Sequence, residues 1–173
     1  MHELLTLLAH GKLGTIWQLF LDDPRREWSQ KEVIRETHIS TATAVSTLRT
    51  LVQDGMITMA RKGTANYYVL ADTATNRQLK VARMVNTLRS LSTLGDISLY
   101  GSCARGEDTP DSDIDILVIG TTPRKDVLAI TEPLSRKIGR RIMPMSFSPS
   151  EWAAMRKKDP AFFERVEMDK IRL

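Results

Sequence analysis

The 173 residues, 42% hydrophobic and 27% charged, match ordinary globular usage, which excludes a fibrous or disordered chain and suits one domain or two small ones. No apolar run approaches the roughly 20 residues of a membrane span, the start Met1-His2-Glu3 lacks the basic residues of a secretory signal, and the single Cys103 leaves no internal disulfide, so a soluble cytoplasmic protein is expected. The net charge of +4 divides unevenly, with 12 Lys+Arg against 8 Asp+Glu in residues 1–95 and 13 against 13 in residues 96–173.

Leu13, Ile16, Trp17, Phe20 and Leu21 have the spacing of an amphipathic helix, which Asp22-Asp23-Pro24 ends. Ser29-Gln30-Lys31-Glu32 reads as a capping box for a second helix with Val33 and Ile34 on its buried face. His38-Ile39 makes a turn, and Ser40 caps a third helix in which Ala44, Val45, Leu48, Leu51 and Val52 hold helical spacing up to Gly55. Residues 57–60 and 65–70 are β-prone and flank Arg61-Lys62-Gly63-Thr64, a basic hairpin tip.

Three short helices followed by a basic-tipped hairpin resemble the winged helix-turn-helix of MarR- and ArsR-like prokaryotic regulators over about residues 10–72. Trp28-Ser29-Gln30-Lys31-Glu32, Leu51-Val52-Gln53-Asp54-Gly55 and Tyr67-Tyr68 carry that resemblance. It implies double-stranded DNA as partner, with Thr41, Thr43, Ser46, Thr47 and Arg49 facing the major groove from helix three and Arg61 and Lys62 on backbone phosphates. Such modules also dock proteins, and a polar face on helix three is equally what a solvated surface needs. Residues 1–72 are thus expected to form the first domain.

Residues 73–95 are expected to be a linker helix, with Val81, Met84, Val85, Leu88 and Leu91 as one apolar stripe. The stripe suits packing within the chain or, as in paired DNA readers, a homodimer.

Residues 96–173 carry the chemistry. Ile97-Ser98-Leu99-Tyr100 reads as a strand running into Gly101-Ser102, and Asp113-Ile114-Asp115 opens a second strand that continues to Ile119. In a strand alternate side chains share a face, so Asp113 and Asp115 are expected to project together from backbone positions about 6.6 Å apart, a spacing that suits two ligands of one divalent cation. Ile114, Ile116 and Val118 would then point into the core. Gly101 allows close backbone approach, and the helix beginning at Ser102 offers free N–H groups to phosphate oxygens.

Gly-Ser followed ten residues later by Asp-x-Asp is similar to the signature of minimal DNA polymerase beta-like nucleotidyltransferases. The resemblance implies an α+β fold: a winged helix-turn-helix, a linker helix and a small mixed-sheet nucleotidyltransferase domain. It also implies an NTP as substrate or ligand, Mg²⁺ (or Mn²⁺) held by the catalytic pair Asp113 and Asp115, and nucleotide contacts from Gly101, Ser102 and Arg105. Active members of that family carry a third carboxylate on a later strand. Here the expected strand, residues 141–147, contains no acid. A helix is expected before it from Arg124 to Ile138, with Asp126 and Glu132 on its solvated face; Glu151 is expected in the cap of the helix after it, around Ser148, and Asp111, next to the pair, is the remaining candidate substitute. The tail from Pro149 reads as two short helices with Trp152, Met155, Phe162, Phe163 and Val166 as packing residues.

Two functions follow from these expectations. One is Mg²⁺-dependent transfer of a nucleoside monophosphate from an NTP to a hydroxyl of an unknown acceptor, a protein or a small molecule, by an enzyme carrying a DNA-binding module with a regulatory role. The other is a transcription regulator whose nucleotidyltransferase fold senses a nucleotide without catalysis.

Overall fold

The structure is a computed structural model that describes residues 11–173. The start Met1-His2-Glu3 lies outside the described residues. The chain divides into two units, one ending at Leu79 and one beginning at Lys80.

In the first unit, α1 (Lys12–Asp22) buries Ile16, Trp17 and Phe20, the residues its periodicity selects. Helix α2 (Gln30–Thr37) begins on the expected capping box: the Ser29 hydroxyl accepts from the Glu32 N–H, and the Glu32 carboxylate accepts from the Ser29 N–H and hydroxyl. Those bonds lower the Glu32 pKa to about 2. His38 turns the chain in the left-handed region, and Ser40 caps α3 (Thr41–Gln53) as expected. Strands β2 (Ile57–Lys62) and β3 (Ala65–Leu70) form the hairpin. A two-residue strand β1 (Trp28–Ser29), which carries no periodicity to announce it, pairs with β3 and sets Trp28 opposite Tyr68. Ile16, Trp17, Phe20, Val33, Leu48 and Leu51 close one core.

Two expectations change here. The hairpin tip is shorter than predicted, because Arg61 and Lys62 pair with Asn66 and Ala65 in the ladder and only Gly63 and Thr64 make the turn. A two-residue loop fits the twist of the flanking strands, which is why pairing continues to its edge. Thr47 is buried, not outward, since it lies one turn from Ala44 and Leu51 on the packed side of α3.

Helix α4 (Ala74–Leu88) continues into a 3-10 turn (Arg89–Leu94). Leu79 belongs to the first core, whereas Met84, Val85, Leu88 and Leu91 belong to the second. Most of the expected stripe is therefore packed inside the chain. Lys80, Arg83 and Arg89 consequently count with the second unit. The first unit holds 9 Lys+Arg against 8 Asp+Glu and the second 16 against 13, so the excess base expected in the first half lies mainly in the second unit.

The second unit is built on a mixed sheet in the order β6-β5-β4-β7, with β6 parallel to β5 and the other neighbours antiparallel. Its strands are β4 (Asp96–Leu99), β5 (Ile114–Ile119), β6 (Ile142–Phe147) and the short C-terminal β7 (Ile171–Arg172). Helix α5 (Gly101–Arg105) follows β4, and α6 (Arg124–Ile138) crosses from β5 to β6 at the predicted boundaries. One face, with Ile114, Ile116 and Val118, packs in the same core as Val127 of α6. Leu117 points to the opposite face, into a second cluster with Tyr100, Trp152 and Val166. The last two come from α7 (Pro149–Lys158) and α8 (Pro160–Asp169). Among the described residues no helix is long and apolar enough to cross a membrane.

Candidate functional site

Alternation along β5 sets Asp115 on the same face as Leu117. The helices α7 and α8 cover that face where Leu117 packs with Trp152 and Val166. Across the sheet Asp115 has Met143 of β6 as its register partner, and on the other side the Tyr100 N–H donates to the Asp115 carbonyl at 3.1 Å. Gly101 follows Tyr100 at φ +71, and a Cβ there would come within 2.9 Å of Asp115 Oδ2. The glycine of the Gly-Ser pair thus makes room for the second aspartate, a closeness that the ten-residue interval alone does not reveal.

Asp113 stands just before the strand instead of inside it, because pairing with β6 begins at Ile114. The Ile114 N–H donates to the Arg141 carbonyl at 2.8 Å, which anchors Arg141 beside Asp113. From there Arg141 donates Nε to Oδ1 at 3.0 Å and Nη2 to Oδ2 at 2.7 Å. The guanidinium holds the Asp113 carboxyl below its ordinary range. Asp115 is shifted the other way, upward, first by burial and then by the charge of Asp113, with Arg165 opposing. The same burial, with the Asp115 charge, raises the Tyr100 phenol to about 12. Two carboxylates two residues apart are thereby made unlike in their readiness to carry charge.

The loop leading to Asp113 is held from beneath. Asp108 is 9% exposed and pairs with Lys80 at 2.9 Å and with Arg140 at 2.8 Å. Arg140 also donates to the Ser112 carbonyl from Nε and Nη2, and Lys80 donates to the carbonyls of Gly106 and Asp108. Cys103 is buried against this network, and its thiol is pushed up to about 11 by burial. That is the environment of a packing residue, since the thiolate is the reactive form.

Ser102 is half-buried in the first turn of α5, next to Gly101. Arg105 is engaged in ion pairs with Glu107 and Asp169. Asp126 and Glu132 are exposed on α6, Asp111 is exposed in the loop, and Glu151 caps α7 through Ser148. Thr41, Ser46 and Arg49 are exposed on α3, Thr43 is half-buried and bonded to Ser40, and Arg61 is exposed on β2. Lys62 pairs with Glu27 and lies 5.5 Å from the centre of the Tyr67 ring. Sequence reasoning did not single out Arg141, Arg165 or Met143 for the site. Only the β5–β6 register, which has no local signature, could have found the first and the third.

Among the described residues no group of three His, Cys, Asp or Glu side chains is arranged to hold a metal ion. The two aspartates supply hard oxygen donors, and Mg²⁺ is commonly held by one or two carboxylates with substrate phosphates completing its shell. The donor chemistry therefore fits such an ion, with Asp113 shared with Arg141.

The family described as Nucleotidyltransferase domain matches residues 81–168. No curated protein matches the chain. Among solved structures, the crystal structure of M. tuberculosis Rv0081 is similar at 22% identity, covering 53% of this chain and 89% of that one, with a TM-score of 0.41.

Proposed function

The chain belongs to the nucleotidyltransferase domain family, and on that premise we propose that its second unit transfers a nucleoside monophosphate from an NTP to a hydroxyl of a protein or small molecule. The observation that supports this most is the contact of Gly101 with Asp115, which joins the two halves of the motif across the sheet. In the reaction the acceptor oxygen bonds to the α-phosphorus, the bond from that phosphorus to the bridging oxygen breaks, and pyrophosphate leaves. The hydroxyl proton goes to solvent. Asp113 and Asp115 are the residues to hold Mg²⁺ or Mn²⁺, which when bound neutralises charge on the triphosphate. Ser102 is suited to a phosphate oxygen, whereas Arg105 would have to leave Glu107 and Asp169 to reach one.

Incubation of the pure protein with Mg²⁺ and α-labelled NTPs, with and without lysate of its host, tests the proposal. Label transferred by the wild type and absent with Asp113→Ala plus Asp115→Ala supports it. Transfer unchanged in the double variant rejects the site.

A second reading, a nucleotide-sensing regulator, is favoured by Met143, the apolar residue opposite Asp115 on the strand where active relatives carry an acid. It takes the first unit as a winged helix-turn-helix on double-stranded DNA, which is supported by the order of three helices and a hairpin and by the exposed Arg49 and Arg61. The near-neutral charge of that unit favours few phosphate contacts, Arg61 foremost because Lys62 is engaged by Glu27. If so, Arg61→Ala reduces the salt slope of DNA binding by about 0.9, and Lys62→Ala by less. A homodimer through α4 would have to use what its two cores leave free, such as the half-buried Val81.

A further inference from the structure

We infer that Arg141 is a built-in rival of the divalent cation for Asp113 and passes to the triphosphate when that cation arrives. This rests on the nucleotidyltransferase reading above. Two neighbouring arginines leave the start of β6 and are built differently. Arg140 has a side chain 14% exposed and is bonded to Asp108, to the Ser112 carbonyl and to Cys103. It is fixed in place. Arg141 has a side chain 68% exposed and grips a single carboxylate, that of Asp113.

The guanidinium fork takes both oxygens of Asp113. A divalent cation needs one of those oxygens, and two cations on one carboxylate repel each other. Binding the metal at Asp113 therefore loosens Arg141. Its chain is anchored by the Ile114–Arg141 backbone bond, so the freed guanidinium stays beside the aspartates. A triphosphate there offers paired oxygens that an arginine fork matches as well as it matches a carboxylate. The same residue would thus weaken metal binding without nucleotide and strengthen nucleotide binding with metal, making the two ligands bind together.

Mn²⁺ titration of the full chain without nucleotide, followed by the paramagnetic resonance of free Mn²⁺, and calorimetric titration with α,β-methylene ATP at saturating Mn²⁺ test this. Without nucleotide, Arg141→Ala is expected to bind Mn²⁺ about two- to fivefold tighter than wild type, the range for losing one exposed ion pair. With Mn²⁺ saturating, the same variant is expected to bind α,β-methylene ATP about tenfold more weakly. Arg141→Lys, which keeps the charge without the fork, should fall between. Mn²⁺ affinity that is unchanged or weaker in Arg141→Ala would overturn the inference, as would unchanged affinity for the nucleotide. Failure of the underlying reading looks different: wild type would bind neither Mn²⁺ alone nor α,β-methylene ATP at saturating Mn²⁺, or Asp113→Asn plus Asp115→Asn would bind both equally well.

Discussion

Gly101 and Asp115 share one small volume: a Cβ on the glycine would come within 2.9 Å of an oxygen of the carboxylate. The glycine also has φ +71, a conformation that costs an ordinary residue about 1 kcal/mol. Backbone and neighbour therefore select the same residue.

Gly101→Ala is expected to destabilise the second unit by about 1–2 kcal/mol, read from urea unfolding. The Asp115 carboxylate is the end of a side chain and can swing aside. The larger effect should then be on Mn²⁺ uptake, through displacement of Asp115. Wild-type uptake in the alanine protein would show that the carboxylate has room to spare.

Met143 pairs with Asp115 in the parallel ladder and is 41% exposed. If transfer is limited by the missing third carboxylate, Met143→Asp should raise its rate by roughly a hundredfold, the scale of one well-placed acid–base group. Met145→Asp, one row along and opposite Leu117, is the control and should not. Label transfer measured for both proteins separates a missing ligand from a general effect of added charge.

Asp108 lies between Lys80 and Arg140 with a side chain only 8% exposed. Removing it leaves two cations that are themselves largely buried. Asp108→Ala should cost about 3–5 kcal/mol, again by urea unfolding. The loop carrying Asp113 loses its clamp as well, so Mn²⁺ uptake should fall even where the protein remains folded.

Glu32 titrates at about 2 in the folded chain because the Ser29 hydroxyl and N–H favour its ionised form, against an ordinary value of 4.5. A lowered folded pKa contributes stability that is complete above about 4.5 and is lost as pH falls toward about 2. Glu32→Gln should flatten the acid limb of the first unit's stability across that window, as followed by its thermal midpoint. Ser29→Ala, which removes the cap itself, should cost about 1 kcal/mol at neutral pH.

Much of the fold was legible from neighbours along the chain. The caps at Ser29, Ser40 and Ser148 join residues three apart, and the 3.6-residue spacing of Ile16, Trp17 and Phe20 needs no partner to be read. Helix α6 ends at its predicted residues, since Pro123 precedes it and Gly139 closes it in the left-handed conformation. The Gly-Ser and Asp-x-Asp elements were equally readable, because strand alternation assigns Ile114, Ile116 and Val118 to the core and Asp115 to the other face.

The electrostatic character of the site was decided elsewhere. Arg141 and Asp113 are 28 residues apart and meet because β6 lies parallel to β5 in one register. Arg105, read as a phosphate contact, is held by Asp169 from 64 residues away. Lys80, on the helix expected to be a linker, pairs with Asp108 of the second unit. Capping and periodicity act within a turn of helix or along a strand, so the sequence carries them directly. Ion pairs form between whichever charges the ladders and layers bring within about 4 Å, and that proximity exists only after the chain has closed on itself.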